Sequence, residues 1–388
     1  MGIYLDHSAT TYVDKKVLAK MTQCYSETFG NTSSQHSYGR DAEKGVGAAR
    51  AQVADAIGAS PGEIYFTSGG TESDNWAIKG VAKFARKGHI ITTGIEHRAV
   101  LDTCKYLEAK GFSITYLPVD AFGAVRADDV EKALQDDTIL ISIMFANNEV
   151  GTINPMAQIG QIAKKHGVLF HTDAVQAVGH VPIDVSAIGI DLLSLSAHKF
   201  YGPKGVGALY IKNGTNIEKI IHGGSHEKGM RAGTLNSPGI VGLGAAISLA
   251  TEVMDNEFVK EAALAKRLKD ALLQLPKAKY NGHPDDRLPG NVNISFDGIE
   301  AEALMLHLDL EGIAVSTGSA CSSGSTNPSY VLKEMGCTIE QARAAVRFTI
   351  GRCNTTKDID TAAKKTKSIV EKLRALSPLF ADKGEKNV

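Results

Sequence analysis

Lys199 closes the apolar run Asp191-Leu-Leu-Ser-Leu-Ser through Ser196-Ala-His-Lys199, and the glycine-rich Phe200-Tyr-Gly-Pro-Lys-Gly-Val-Gly207 follows at once. A lysine fixed between a strand and a loop, with small hydroxyl residues beside it, suits a Schiff base to pyridoxal phosphate. The amine meets the aldehyde while hydroxyls, imidazole and backbone N–H groups hold the phosphate. Alone, such a lysine is usually a solvated charge. A second segment changes the balance: Val168-Leu-Phe-His-Thr-Asp-Ala-Val-Gln176 is an apolar strand ending in Asp173, the carboxylate that would pair with a pyridinium nitrogen. Gln176 stands three residues on, so both side chains can address one planar ligand. The plain alternative for Asp173 is an N-cap of the next helix.

Three further segments could serve the same chemistry. In Phe66-Thr-Ser-Gly-Gly-Thr-Glu-Ser73 a strand runs into a helix start. Gly69 and Gly70 permit close backbone approach, and Thr71 can cap the helix whose N–H groups would face an anion. His97, in Gly94-Ile-Glu-His-Arg-Ala-Val100, follows another strand and could stack on a ring and carry protons, although a lone histidine is more often structural. Cys321 lies in Ser316-Thr-Gly-Ser-Ala-Cys-Ser-Ser-Gly-Ser-Thr-Asn-Pro328, a stretch without strand or helix pattern. An exposed, mobile thiol there suits travel between a buried substrate and another protein. Cys24, Cys104, Cys337 and Cys353 read as structural.

Positioning such residues requires a sheet. Strand-length apolar runs occur at Ile64–Phe66, His89–Thr92, Ser113–Leu117, Ile139–Met144, Val168–His171, Leu192–Leu195 and Val206–Ile211. Amphipathic stretches such as Gln158–His166 separate most of them. Repetition of strand and helix predicts a largely parallel sheet whose functional loops sit at the C-terminal ends of the strands. After residue 255 the pattern changes to a long charged helix, Glu257–Leu275, then Pro289–Phe296 and a helical stretch Ala301–Leu310. The expected organisation is a large domain over 15–255 and a smaller α+β domain made of 1–14 and 256–388.

The bulk properties exclude several classes. The formal net charge is −1 with no Lys/Arg run, which argues against nucleic acid. No stretch approaches the roughly 18 consecutive apolar residues of a membrane span. Met1-Gly-Ile-Tyr-Leu-Asp shows no secretory signal. Five scattered cysteines without a C-x-x-C or Cys/His cluster give neither a disulfide framework nor a metal site. A reduced, cytoplasmic protein is expected.

Together the motifs resemble the cysteine desulfurases, pyridoxal-phosphate enzymes of the fold type I aminotransferase superfamily. The likeness runs through Tyr4-Leu-Asp-His-Ser-Ala-Thr-Thr11, Phe29-Gly-Asn-Thr-Ser-Ser-Gln-His36, Thr67–Ser73, Glu96-His97, Asn147–Gly151, His171–Gln176, Ser196–Lys199, Arg231–Thr234 and Gly318–Cys321. The long Cys321 segment looks like the branch that feeds iron–sulfur cluster assembly. His7 stands where the family usually has Asn, and Thr32 where Pro is common. The resemblance implies roles. Lys199 would hold the cofactor and take the substrate Cα proton, Asp173 would keep the ring nitrogen protonated, and His97 would stack and shuttle protons. Gln176 and Asn148 would bond near the ring oxygen. Gly70, Thr71, Ser196 and His198 would hold the phosphate, with Thr234 reaching in from a second subunit of a homodimer. Arg347, with Asn31 beside it, would clamp the carboxylate of L-cysteine. Cys321 would take the sulfur as a persulfide and pass it to an iron–sulfur scaffold protein. The rivals are a selenocysteine lyase, an ordinary aminotransferase of the same fold, and a silent homologue acting as a binding module. Cys321 weighs against the first two, and intact Lys199, Asp173 and His97 against the third.

Overall fold

In a computed structural model, which describes residues 2–317, 328–377 and 380, the seven expected strands form one sheet. Its order is Ile64–Thr67, Gly207–Ile211, Leu192–Ser196, Leu169–Asp173, Thr138–Ser142, His89–Thr93, Ser113–Leu117. Gly207–Ile211 is antiparallel to both neighbours, and all other pairs are parallel. Three of the seven strands, His89–Thr93, Leu192–Ser196 and Gly207–Ile211, are buried along their whole length, as a sheet covered by helices on both faces requires. Gly70–Ala85 and Arg98–Glu108 lie over one face, where Trp76, Ile78, Val100 and Leu192 share a core. Met156–His166 packs on the other, with Ile159 and Ala163 against Phe170.

The second unit has its own core around an antiparallel sheet of Ser316–Thr317, Ala345–Thr349, Asn291–Phe296 and Ala278–Asn281. The helices Ala301–Leu310 and Thr356–Leu376 cover it. The N-terminal segment joins this unit: Ile3–Tyr4 pairs in parallel with Ile313–Ala314, and Leu5 is fully buried in the same core.

The expected helix Glu257–Leu275 is instead the second half of one continuous helix, Ser237–Leu272. Its first turns give Ile240, Leu243, Ile247 and Ala250 to the large core, and its last turns give Leu264, Ala265, Leu268 and Leu272 to the small one. Residues 251–260 belong to neither. The change of pattern near residue 255 marks a change of neighbours along an unbroken rod. This helix is the one described helix apolar and long enough, by composition, to cross a membrane; here its apolar side chains fill the two cores.

Candidate active site

Five loops meet at the C-terminal edge of the large sheet, where the strands end at Thr67, Thr93, Ser142, Asp173 and Ser196. A 3₁₀ turn, Ala197–Lys199, follows Ser196 and swings the lysine back over the edge. The Lys199 Nζ donates to the carbonyls of Ser8 at 2.5 Å and Ala9 at 2.9 Å. Gln176 Nε2 donates to the same Ser8 carbonyl at 3.0 Å. The N-terminal segment is therefore the strap that aims the lysine: Thr11 N–H and hydroxyl both bond the His198 carbonyl, and Thr10 Oγ1 lies 3.1 Å from His198 Nδ1.

Asp173 is buried, and its Oδ1 accepts from the Val175 N–H at 2.9 Å. The bond has the form of a cap, yet only turns follow it, so the carboxylate does not cap a helix. Burial raises its pKa, while His97, Val175 and Lys199 oppose the rise. Both His97 and Lys199 are thus near enough to act on this carboxylate. His97 caps the helix Arg98–Glu108 through Nδ1, which accepts from Ala99 N–H at 3.1 Å. Asp173, His97 and Asp74 each bring one polar atom to within 4.8 Å of the others.

Beside this cluster an open cavity of about 400 Å³ is lined by Gly69, Gly70, Thr71, Ser196 and His198, with Ala9, Thr10 and Glu72 among the rest. Gly69, at φ +148°, holds the N-cap of Gly70–Ala85 in a conformation that favours glycine, and no side chain caps that helix. Thr71, expected as the cap, is instead inside the first turn. Gly207 lies against Gly69 so closely that a Cβ would come within 2.8 Å of the Gly69 Cα. Uncapped N–H groups at a helix start, a buried hydroxyl and an imidazole fit a phosphate group. His198 fits as a neutral donor, since burial, with Lys199 and Lys204, lowers its pKa to about 4. The pyridoxal phosphate expected from the sequence thus meets residues that suit each of its ends.

Arg347 is 2% exposed in the centre of the strand Ala345–Thr349. Its Nη2 donates to Asp6 Oδ1 at 2.9 Å and its Nη1 to the Asn148 carbonyl at 2.8 Å, while the buried Nε has no partner. The Asn148 Oδ1 is likewise buried without one. Ser316 pairs directly with Arg347, so the segment that carries Cys321 departs from beside the arginine. Cys321 itself lies outside the described residues.

Two expected residues are not drawn in. Asn31 is exposed, its Oδ1 accepts from Ser33 N–H, and no hydrogen bond among the described residues joins it to Arg347. Thr234 is exposed in the loop before Ser237–Leu272 and does not line the cavity of its own chain. His7, which stands where the family usually has Asn, is buried and shares a small cleft with Ser8 and Gln176. Its Nε2 lies 3.8 Å from the exposed Cys353 thiol.

Sequence reasoning missed three carboxylates. Asp6 braces Arg347. Glu72, on the cavity wall, is held by a two-point pair to Arg231 at 2.8 and 3.1 Å. Asp74 is buried behind Asp173. Asp6 and Arg347 are 341 residues apart, which no local pattern reveals.

Residues 3–361 match the Aminotransferase class-V family. The chain is 54% identical over 380 residues to the cysteine desulfurase IscS of Methanosarcina thermophila, covering 97% of this chain and 94% of that protein. It is 52% identical to the cysteine desulfurase IscS of Clostridium botulinum, covering 98% and 97%. A solved NifS-like protein superposes with a TM-score of 0.90 at 41% identity, over 96% of this chain and all of that one. The chain belongs to the class-V aminotransferase family and, within it, to the pyridoxal-phosphate-dependent cysteine desulfurases.

Proposed function

We propose that the cavity at the sheet edge converts L-cysteine to L-alanine and delivers the sulfur to Cys321 as a persulfide. The observation that carries this is the placement of Lys199 and Asp173 at the ends of adjacent strands, with the Arg347 strand and the start of the Cys321 segment paired beside them. Bound pyridoxal phosphate supplies an electron sink for carbanion chemistry at the substrate Cα.

The chain's own residues do the rest. Gly70, Thr71, Ser196 and His198 hold the phosphate. Asp173, an anion shielded from water, keeps a proton on the ring nitrogen through a charge-assisted bond. His97 covers the ring and carries protons, and Gln176 and Asn148 bond near the ring oxygen. Lys199 Nζ, released from its two carbonyls, takes the proton from the substrate Cα. Arg347 holds the substrate carboxylate, which would satisfy its unpartnered Nε. Asn31, on an exposed loop, would have to move in to join it. The Cys321 sulfur attacks the sulfur of cysteine: an S–S bond forms and the Cβ–S bond breaks. The electron pair of the broken bond stays with carbon and is protonated to give alanine.

The wider setting belongs to the same proposal. Residues 15–255 form the large domain, with 1–14 and 256–388 as the small one. A homodimer would bring Thr234 to the partner's phosphate site, and the exposed Tyr25, Phe29 and Tyr38 offer an apolar face for it. The sulfur acceptor is an iron–sulfur scaffold protein, in the cytoplasm. Cys321→Ser tests the sulfur step: the cofactor's absorbance is retained and no persulfide accumulates. Undiminished sulfide release from cysteine would remove Cys321 from the reaction.

A further inference from the structure

Asp74, on the first turns of Gly70–Ala85, is 1% exposed, and neither of its oxygens has a hydrogen-bond partner at normal distance. No lysine or arginine pairs with it among the described residues. The His171 Nε2 lies 3.7 Å from Asp74 Oδ1, and a His97 ring nitrogen lies within 4.8 Å of the Asp74 carboxylate. The His171 imidazole is committed elsewhere, to the Ser142 hydroxyl at 2.8 Å through Nδ1 and to the Ser194 hydroxyl at 3.1 Å through Nε2. Burial lowers the pKa of His171 to about 3, so it is neutral and offers no counter-charge. Other acids face the same space. Asp173, from the neighbouring strand, brings an oxygen to within 4.8 Å of Asp74, and buried Glu96 adds to the repulsion. Burial, Asp173 and Glu96 together raise the Asp74 pKa well above the carboxylate range, and only the Ser194 hydroxyl opposes them.

Two unscreened carboxylates this close cannot both ionise. Asp173 has the Val175 N–H, with His97 and Lys199 beside it, and so is the one to keep the charge. We propose that Asp74 is a permanently protonated positioning residue behind Asp173, so that the buried acid pair presents one negative charge to the cofactor ring. This rests on the role given to Asp173 above. A neutral Asp74 keeps a carboxyl group packed close to Asp173 and adds no second anion to the site.

The test compares the holoenzyme with Asp74→Asn, which keeps shape and neutrality. In the infrared difference spectrum at neutral pH, wild type minus variant should show a lost protonated-carboxyl C=O stretch. The variant should also keep the pH titration of the cofactor's absorbance and its turnover within about threefold. A lost carboxylate band, or a titration midpoint lowered by about one unit or more, would overturn the proposal. If the variant does not accumulate, carbon-13 NMR of wild-type protein labelled at Asp carboxyls carries the same decision. One resonance that stays protonated from about pH 6 to 8 supports it, and none contradicts it. Asp173→Asn, measured alongside, separates the two readings. An unaltered cofactor spectrum there would defeat the role of Asp173 and leave the protonation of Asp74 to be decided by the infrared.

Discussion

Replacing Arg347 by alanine separates substrate binding from architecture, because the guanidinium has three hydrogen-bonding edges with different fates. One is bound to Asp6 and one to the Asn148 carbonyl, while the buried Nε has no partner and is the edge proposed to take the substrate carboxylate. Truncating one partner of a desolvated charge pair costs about 2–5 kcal/mol, so KM for L-cysteine should rise about 30-fold at least and up to several thousand-fold. The loss of the Asp6 partner is a separate cost to folding. A fully buried broken pair costs about 3–5 kcal/mol, and the Asp6 side chain is 19% exposed, so about 2–3 kcal/mol is expected. Steady-state alanine formation gives KM and kcat, and the urea midpoint gives the folding term. Cysteamine, which lacks the carboxylate, should bind wild type and variant alike, and Arg347→Lys should fall between them because it keeps charge and loses the fork. A displaced urea midpoint with unchanged KM and unchanged preference for cysteine over cysteamine would refute the clamp and leave Arg347 as a brace for Asp6.

Other perturbations address the rest of the site. Arg231→Ala leaves the Glu72 carboxylate unpaired on the phosphate cavity wall, so cofactor retention should weaken about tenfold, with partial recovery in the Glu72→Gln double variant. Equal cofactor dissociation rates in all three proteins would contradict it. Gly207→Ala would force a Cβ to 2.4 Å from the Leu195 carbonyl oxygen and to 2.8 Å from the Gly69 Cα, costing about 1–3 kcal/mol and loosening the cofactor. Wild-type thermal stability and cofactor affinity would refute that packing. Glu261, buried beside Glu257, has its pKa raised to about 8 by that burial. The folded state therefore binds the proton that the unfolded chain releases near pH 4.5. Stability falls as pH rises toward the folded value. Glu261→Gln should match wild type near about pH 4.5 and melt higher above about pH 8, and parallel melting curves at both ends would exclude it.

What could be read from the sequence was whatever has a local cause. Ser113–Leu117 and Ala301–Leu310 appear with the bounds their patterns give, because strand and helix periodicity is written into adjacent residues. The strand ends followed for the same reason, and with them the meeting of Asp173, His97 and Ser196–Lys199. Arrangements made by distant chain segments left no such mark. Residues 251–260 look like a break because they touch neither core, yet nothing in them stops a helix, and Ser237–Leu272 runs through. Gly69, rather than Thr71, is the N-cap of Gly70–Ala85, and the adjoining strand Gly207–Ile211 crowds that turn. Asp74 reads in sequence as one more polar residue of a helix start, and only the sheet beneath it shows that it is enclosed.

Lys199 and the cavity lined by Ser196 and His198 are proposed to act on L-cysteine and pass its sulfur to Cys321. The most direct measurement is the absorbance spectrum of the pyridoxal-phosphate-loaded protein before and after L-cysteine, with mass spectrometry of the Cys321 peptide and assay of alanine. A cofactor band that shifts on addition, one sulfur atom added at Cys321 and alanine formed are the predicted result. A cofactor band that shifts with no sulfur on Cys321 would contradict it.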